Sequence, residues 1–479
     1  MNNRTTHRSI VERWVITGVL ELETPAHFGN GDGDALTDMP LLLDEVDGRP
    51  LLPGASIAGA LRSYLREFES DYGNKEISNS MAALLFGSSR TDEDGRQSPL
   101  IVDDAVGNSA GFELRDGVAI DPETRTAADD KKFDMQLLAA GSTFPLRFEL
   151  TVAKESQKLR EALAIALHGL EDGQITLGAR KRRGFGQCKV KDWRVWKFDL
   201  SNKDGLLDWL GSEQGFRTPK AVEGKDLLAK LGATLSTVDK RTAAHLSATF
   251  SIDGTLMIRS GFGESDSGPD MVHIHSKRPG KKPAPIIPGT SFAGVLRQRA
   301  LKIARTVSGD NQPASKSFVD AMFGPSEIKR GEKHAKASRV SIKETEIEKS
   351  TSLVVTRVKI DRFTGGAFES ALFSEQPAIG KPETRVTLDL SLRSPKSAEL
   401  GLLLLLLKDL WTGDLPIGGE SSIGRGRLKG IGAELETPQG TWSFKANGEQ
   451  VDITPNANQL EEWVQAFNQG LEKAQVNHA

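Results

Sequence analysis

A ten-residue stretch that occurs twice decides the fold of this chain. PGASIAGALR runs from Pro53 to Arg62, and PGTSFAGVLR runs from Pro288 to Arg297, with seven of the ten positions identical. A Pro-Gly turn before a helix is common by itself, but a motif that recurs far along the chain is the signature of an internal repeat. The stretch therefore predicts two related domains in one chain.

Three further pairs of motifs follow the first pair in the same order and at nearly the same separation. They are LLFG ending at Gly87 with AMFG ending at Gly324, VAIDPETRTA around Asp121 with VKIDRFTGGA around Asp361, and LGARKRRGFGQCKV around Gly184 with IGGESSIGRGRLKG around Gly424. Chance does not preserve both order and spacing, so we predict a duplication. The predicted parts are a first domain, a connector, a second domain and a C-terminal extension, over residues 1–197, 198–245, 246–435 and 436–479.

Length and composition agree with two soluble domains. The 479 residues are too many for one ordinary core, and 38% hydrophobic with 27% charged residues is typical of a globular protein. The formal net charge of −3 gives no overall basic signature, although local basic loops can still bind nucleic acid. Cys188 is the one cysteine, which favours a reducing, cytoplasmic location. The longest apolar run, Leu400–Trp411, is too short to span a membrane and predicts a buried helix.

Each half has the same coarse order of predicted elements: strand, helix, strand, strand, helix, strand. The first strands are the segments WVITGVLELET and LSATFSIDGTLMIRS, and a glycine- and acid-rich loop follows each of them. A second helix precedes a glycine-rich loop and a last strand in both halves. This is the order of a ferredoxin-like fold, so we predict the α+β class with two tandem domains of that kind.

The repeated helix start has two interpretations. Ser56 can cap the helix, which would make the motif a purely structural entry, and Gly59 allows something to approach the helix closely. Alternatively, the N–H groups at the helix start, with Arg62 nearby, form an anion site that suits a phosphate. Ser291 and Arg297 repeat the pattern in the second half.

The glycine-rich loop of the first half is the most basic part of the chain. Its cations meet phosphates, its glycines let the backbone approach a ligand, and its phenylalanine can stack on a base, unless it is only a solvated basic turn. The candidate RNA-binding residues are Arg180, Lys181, Arg182, Arg183, Gly184, Phe185 and Gly186, with Gly424, Arg425, Gly426 and Arg427 in the less basic second copy.

The acidic loop GNGDGDALTDMPLLLD is the candidate catalytic segment. It lacks the glycine and the final glutamate that a calcium-binding EF-hand loop requires. It is either a flexible turn rich in aspartate or a site where a carboxylate holds a divalent metal or handles a proton at a phosphodiester. RNA carries its own nucleophile, the 2′-OH, so one carboxylate and one metal could suffice for cleavage. The candidates are Asp32, Asp34, Asp38 and Asp44.

Taken together, these motifs resemble the RAMP superfamily of CRISPR-associated proteins, and each half resembles the repeated backbone subunit of type III effector complexes. The resemblance rests on the acidic loop ending in Asp-Met-Pro, LLPGASIAGALRSYL, LFG, VAID and the terminal RRGFGQ loop. Two such units fused in one chain are similar to subunits of type III-D complexes. The resemblance covers both halves.

The resemblance implies a modified RNA-recognition fold that holds the phosphates of a guide CRISPR RNA through the helix start and the glycine-rich loop. It implies an inserted β-hairpin thumb after VAIDPETRTAADDKKFDMQLL and after VKIDRFTGGAFESALFSEQP, which displaces a guide–target base pair. It also implies that an aspartate of the first loop cleaves complementary target RNA with Mg²⁺ or Mn²⁺. Asp38 in TDMP matches that position as catalyst and metal ligand. Asp270 in PDMV is its counterpart but lacks the proline, and Asp34 and Asp32 are runners-up.

The implied protein is therefore a guide-RNA-binding endoribonuclease subunit, with target RNA and other effector subunits as partners and no membrane. Two alternatives stay open: a non-catalytic structural subunit of the same complex, and a guide-processing endoribonuclease with a histidine base. His27 is the histidine near the first loop. His273 and His275 alternate on a predicted strand, but without a third ligand they make a weak zinc site.

Overall fold

The computed structural model describes residues 10–29, 31, 38–88, 97–121, 124, 126–153, 157–213, 215–260, 268–325 and 336–476. Its elements in the first half are β1 (Glu12–Leu22), β2 (Leu51–Leu52), α1 (Gly54–Ser70), α2 (Met81–Phe86), β3 (Leu100–Val102), β4 (Ala105–Val106), β5 (Phe112–Ile120), β6 (Ala127–Leu138), β7 (Thr143–Val152), α3 (Gln157–Glu171) and β8 (Cys188–Asp199). Two helices follow, α4 (Lys203–Glu213) and α5 (Leu227–Leu231).

The second half repeats this order and extends it. Its elements are β9 (Ala243–Asp253), β10 (Thr255–Leu256), β11 (Arg259–Ser260), β12 (Met271–His273), β13 (His275–Ser276), β14 (Ala284–Ile287), α6 (Gly289–Val307), α7 (Gln312–Phe323), β15 (Val340–Ile342), β16 (Thr345–Glu346), β17 (Thr351–Ser352), β18 (Val355–Ile360), β19 (Ala367–Gln376), β20 (Ala378–Ile379), β21 (Val386–Arg393), α8 (Ser397–Trp411), β22 (Arg427–Thr437), β23 (Gly440–Asn447), β24 (Gln450–Thr454) and α9 (Asn458–Val476). The protein is therefore of mixed α+β class, as predicted.

The main sheet of the first half has the strand order β3-β7-β1-β8, and all of its pairs are antiparallel. Side chains alternate along β1, so that Trp14, Ile16, Leu20 and Leu22 are buried on one face. Helices α1 and α3 contribute to the same apolar core. Burying one such large side chain contributes about 1.5–3 kcal/mol to folding.

The main sheet of the second half has the corresponding order β15-β21-β9-β22 and continues into β23 and β24. The predicted apolar helix is α8, and it packs against α9. Gly401 lets the two helices approach, because a Cβ at this position would overlap with the Trp463 carbonyl. The C-terminal segment therefore completes the second core rather than forming a separate one.

A long β-hairpin stands outside the main sheet in each half. Strands β5 and β6 pair in the first half, and β18 and β19 pair in the second. Equivalent positions pair in both hairpins, because Asp116 lies opposite Asp134 and Thr356 lies opposite Ser374. The duplication inferred from the helix starts therefore extends through the hairpins.

Candidate functional site

The repeated helix starts differ from their predicted capping. Helix α1 begins at Gly54 after Pro53, and Ser56 lies inside its first turn, so the prediction that Ser56 caps the helix is wrong. The cap is supplied from a distance, since the Gly54 N–H donates to Asp104 Oδ1 at 2.6 Å. Helix α6 likewise begins at Gly289 after Pro288 without a side-chain cap, and Ser291 lies within its first turn.

One face of each helix start is open. Apart from the neighbouring residues and the backbone of the helix itself, no described atom lies within 4 Å of a Cβ placed on Gly59 or on Gly294. A glycine inside a helix costs about 0.5–1 kcal/mol relative to alanine, and no packing contact with the described residues requires one here. Both glycines therefore leave room for something that approaches the helix from outside.

The two arginines of the repeated motif are engaged inside the protein. Arg62 donates to both carboxylate oxygens of Glu76 and, at 3.0 Å, to the Gly87 carbonyl. Arg297 makes the same pair of contacts, with the Asp320 carboxylate and with a backbone carbonyl after α7. Both guanidinium groups thus fix the turn after the second helix, and their predicted role in binding RNA stays a prediction.

The basic glycine-rich loop folds as a tight turn between α3 and β8. Arg180 has a left-handed backbone with φ of 52°, residues Lys181–Arg183 form one 3₁₀ turn, and Gly184 and Gly186 have φ of 88° and 69°. A Cβ on Gly186 would overlap with the Leu177 carbonyl, so this glycine is required by close approach within the loop.

The aromatic residue of the basic loop is not available to a base. Phe185 is 3% exposed and packs with Met135 and Leu137 under the first hairpin. The prediction that it stacks on RNA is therefore wrong. A different residue of the loop makes a stacking contact: the Arg180 guanidinium lies 4.3 Å from the centre of the Phe133 ring on the first hairpin.

The basic loop lies where the two halves meet. The Arg183 carbonyl is so close to α6 that a Cβ on Gly289 would overlap with it, and a Cβ on Gly184 would overlap with the Glu344 backbone. Arg183 Nη2 lies 3.4 Å from the Phe323 carbonyl, while its Nη1 is buried and has no hydrogen-bond partner within the described part of the chain.

Positive charge around this loop exceeds the negative charge that faces it. Burial and the like charges of Arg393 and Arg183 lower the pKa of Arg182 to about 10, although Glu67 opposes this. Burial together with Arg297 and Arg180 lowers the pKa of Arg183. Glu67 is itself paired with Arg393 at 3.0 Å. Cations held this close together favour an added anion.

A cavity of about 510 Å³ lies beside the basic loop and the first helix start. Its wall includes Ser56, Gly59 and Lys181 together with Gly178 and His27. Of the predicted binding residues of the first half, Ser56 and Lys181 therefore share one surface depression, whereas Arg62 and the other predicted residues of the basic loop do not line it.

The second glycine-rich loop has the same backbone but a different charge. Arg425 is 5% exposed and is paired with Glu375 at 2.9 Å and with Glu420, so it is not a surface cation. This buried ion pair occupies the place of Phe185 and Met135 in the first half. The positions equivalent to the four first-half cations are Glu420, Ser421, Ser422 and Ile423.

The remaining second-loop residues keep the shape of the turn. Gly426 approaches the Ile417 carbonyl as closely as Gly186 approaches its own neighbour, and the described residues leave open space around Gly424. Arg427 is exposed at the beginning of β22. Among the predicted loop residues Gly424, Arg425, Gly426 and Arg427, it is therefore Arg427 that offers an exposed cation.

The candidate catalytic Asp38 contacts the first hairpin. Its Oδ2 accepts a hydrogen bond from the Asp134 N–H at 2.8 Å. Partial burial and the hydrogen bond and charge of Asp116 raise the pKa of Asp134, and Asp38 adds to this effect. Sequence patterns do not predict Asp116 and Asp134 as site residues, because only the strand pairing brings them to the acidic loop. Asp34 and Asp32 lie outside the described residues.

Asp270, the counterpart of Asp38, accepts the equivalent hydrogen bond from its hairpin, but no other carboxylate lies at the two equivalent hairpin positions. Its Oδ2 accepts from the Ser374 N–H at 2.7 Å and from the Ser374 hydroxyl at 3.0 Å. Both bonds lower the pKa of Asp270. Ser374 and Thr356 occupy the places of Asp134 and Asp116, so the second half brings one carboxylate to this position where the first brings three.

The described residues around Asp38 supply some, but not all, of the ligands that a metal ion needs. Carboxylate oxygens are the ligands that Mg²⁺ and Mn²⁺ prefer, and Mg²⁺ sites often use one or two carboxylates with substrate phosphates. However, no three His, Cys, Asp or Glu side chains of the described residues are already arranged to hold a metal ion. The donor set around Asp38 therefore fits a metal that is shared with a phosphate.

The histidines singled out in the sequence are structural in this fold. His27 is buried and donates from Nδ1 to the Gln136 carbonyl at 2.9 Å. His273 accepts from the Ile258 N–H and donates to the Ile286 carbonyl, and burial lowers its pKa to about 4. His275 donates to the His273 carbonyl at 2.7 Å.

Comparison with known proteins identifies the family. A sequence profile of the RAMP superfamily matches residues 19–189 and, separately, 253–429. The chain belongs to the RAMP superfamily and carries two units of it in tandem.

Two curated proteins are similar to part of the chain. Both are called "CRISPR system Cms endoribonuclease Csm3". The one from Methanocaldococcus jannaschii is 28% identical over 201 residues, which cover 38% of this chain and 79% of that protein. The one from Streptococcus thermophilus is 26% identical over 208 residues, covering 39% and 93%. No helix among the described residues is long and apolar enough to cross a membrane.

Proposed function

We propose that this protein is a guide-RNA-binding backbone subunit of a type III CRISPR effector complex. The observation that carries the proposal is the basic loop itself, where Lys181, Arg182 and Arg183 lie close together with little opposing charge, and where Lys181 lines the same cavity as the first helix start. The name shared by the two Csm3 relatives supports the same class of complex.

RNA phosphates supply the negative charge that the basic loop lacks. Lys181 is an exposed residue of this loop and lines the cavity beside α1. Gly59 lets the sugar–phosphate backbone approach α1, where the helix N-terminus favours negative charge. The second half contributes Arg427 and the open face at Gly294 but fewer cations, so we propose that it grips the guide less tightly.

We also propose that each half has a ferredoxin-like sheet and that its long hairpin acts as a thumb against the guide–target duplex. The antiparallel orders β3-β7-β1-β8 and β15-β21-β9-β22 support the first point. Exposed apolar side chains on both hairpins support the second, with Val118 and Ile120 on β5 and Ile360 and Phe363 at the tip of the other. Such side chains can pack against unstacked bases.

The binding proposal is tested with the full chain and a labelled single-stranded RNA of guide length. Lys181→Ala with Arg182→Ala should weaken binding and reduce the slope of log affinity against log salt by about 0.7 for each lost phosphate contact. The control is Lys220→Ala with Lys225→Ala in the connector, which removes the same charge from a different surface. Equal losses in the two double variants would refute a defined RNA-binding surface at the basic loop.

We further propose that the first half cleaves complementary target RNA. The Asp134 N–H holds Asp38 Oδ2, which directs the second carboxylate oxygen of Asp38 toward the substrate. There it can accept the proton of a 2′-OH as that oxygen attacks the adjacent phosphorus, while the departing 5′-oxygen takes up a proton. Products would be a 2′,3′-cyclic phosphate and a 5′-hydroxyl. A divalent metal, held by Asp38 and the RNA phosphate, would neutralise charge on the phosphate.

A non-catalytic structural subunit is the second candidate. It is favoured by the absence, among the described residues, of a ready three-ligand metal site and by the hydrogen bond that occupies one oxygen of Asp38. The burial of His27 disfavours the third possibility, a guide-processing enzyme with a histidine base.

The cleavage proposal is tested in the assembled complex with target RNA. Asp38→Asn should remove cleavage at one position while guide and target binding persist, and Asp270→Asn, its matched control in the other half, should leave cleavage intact. If all cuts survive in Asp38→Asn, Asp38 is not the catalyst, and the structural subunit becomes the better proposal.

A further inference from the structure

A basic loop of the second half docks onto the first half. The loop begins at Ser276, the last residue of β13, and continues to Gly280, and its Lys277 N–H donates to Glu113 Oε1 at 2.9 Å. Lys277 Nζ donates to the Ala110 carbonyl at 2.9 Å, and the Ser276 hydroxyl donates to Glu113 at 3.1 Å. Glu113 at the base of the first hairpin is therefore the acceptor for a cationic loop.

A buried ion-pair network fixes this junction. Arg115 is 5% exposed and donates to Glu344 Oε2 at 2.7 Å, while Arg278 reaches the other Glu344 oxygen at 2.8 Å. Although burial by itself raises the pKa of Glu344, the charges and hydrogen bonds of Arg115 and Arg278 lower it. The junction thus contains two carboxylates, Glu113 and Glu344, together with one arginine of the hairpin and one basic loop.

The first half contains the counterpart of the docking loop, but with the opposite charge. The Leu42 and Ile274 N–H groups bind equivalent carbonyls, so the turn after Leu42 corresponds to the turn after Ile274. Its residues 44–49 read DEVDGR where the second half has SKRPGKK. Asp44 accepts from two backbone N–H groups and makes the turn rigid, and Val46 at its tip is 92% exposed.

The acceptor positions that the chain itself offers do not complement this acidic loop. The acceptor of the first half carries Glu113 and is already filled by the basic loop. In the second half, Leu353 stands in the place of Glu113 and Val355 in the place of Arg115, so neither position carries a cation that could pair with the acidic loop. Leu353 is exposed and apolar. A second copy of this chain therefore lacks the charge that the acidic loop needs.

We propose that the loop formed by residues 44–49 docks onto a different subunit of the same fold, whose hairpin base carries a cation in the place of Glu113 and an arginine in the place of Arg115. The loop has the geometry of one that already docks, and its charge specifies the acceptor. The arginine of the partner would face Asp104, which stands in the place of Glu344. Heterologous contacts of this kind join subunits in a row rather than in a closed pair. The proposal does not depend on RNA binding or on cleavage.

The test installs the missing acceptor in the chain itself and follows self-association by sedimentation velocity without RNA. The wild-type chain should remain monomeric. Leu353→Arg with Val355→Arg should associate head to tail at least about tenfold more tightly than wild type. The matched control, Leu353→Asp with Val355→Arg, should remain monomeric because only the sign of one side chain differs.

The acidic loop is then reversed in the variant that associates. Adding Glu45→Lys and Asp47→Lys should return it to a monomer, and circular dichroism verifies that each variant is folded. The proposal is overturned if the wild type already self-associates through this loop, if the arginine variant remains monomeric while folded, or if its association survives reversal of the loop charges.

Discussion

Replacing Gly59 by alanine separates a functional glycine from a structural one. The residue lies in the second turn of α1, its φ is negative, and a Cβ there would meet none of the described atoms within 4 Å. Inside a helix, alanine is favoured over glycine because glycine loses more backbone entropy on folding. If the position only serves the fold, this substitution improves the protein.

The expected magnitudes follow from that geometry. The free energy of unfolding of the first half should rise by about 0.5–1 kcal/mol, which corresponds to an increase in melting temperature of about 1–4 °C for a domain of this size. If an RNA backbone packs against α1, the added methyl group occupies its place. Affinity for guide-length RNA should then fall by about tenfold, equivalent to about 1.4 kcal/mol.

The assay pairs thermal unfolding with fluorescence anisotropy of labelled RNA on the same preparations. Gly470→Ala is the matched control, because Gly470 is an exposed helical glycine in α9 with comparable room. It should gain stability and bind RNA normally. Greater stability of Gly59→Ala with unchanged RNA affinity would refute the inference that α1 contacts the guide.

Three further outcomes follow from contacts in the structure. Glu344→Gln should destabilise the junction by about 3–5 kcal/mol at neutral pH. The pKa of Glu344 is lowered on folding, so its contribution is present above the unfolded value of 4.5 and is lost as pH falls through the folded pKa; urea titrations of wild type and variant should converge in acid. Gly401→Ala should lower the melting temperature of the second half, since the methyl group overlaps with the Trp463 carbonyl and such overpacking costs about 1–3 kcal/mol. Phe185→Ala should cost about 3–5 kcal/mol in urea unfolding, and any loss of RNA affinity should disappear under conditions where the variant is fully folded.

The duplication could be predicted because motif order and spacing are properties of the sequence alone. The details that failed depend on partners far along the chain. Ser56 was expected to cap α1, but Asp104 caps it from the strand-to-strand turn fifty positions later. Arg62 looked available until the fold brought Glu76 beside it. Local patterns cannot contain such partners, since only the folded chain brings them together.

The glycine-rich loops show the same limit in another way. Phe185 and Arg425 occupy equivalent positions, and a sequence reader expects an aromatic ring and a cation between glycines to face a ligand. Both side chains point into the protein, one into an apolar cluster and the other onto Glu375. The left-handed glycines set the direction of the turn, and the opposing hairpin residue has changed together with the loop residue.

These paired changes bear on how the two halves divide their work. Where the first half has an apolar contact under its hairpin, the second has a buried ion pair, and where the first collects Asp38, Asp116 and Asp134, the second has one aspartate with a serine and a threonine. Because the backbone hydrogen bond to the loop aspartate is kept in both, the geometry of the hairpin was retained while its charge was not. A function that needs only shape, such as displacing a base, can thus persist in both halves. A function that needs clustered carboxylates can persist only in the first.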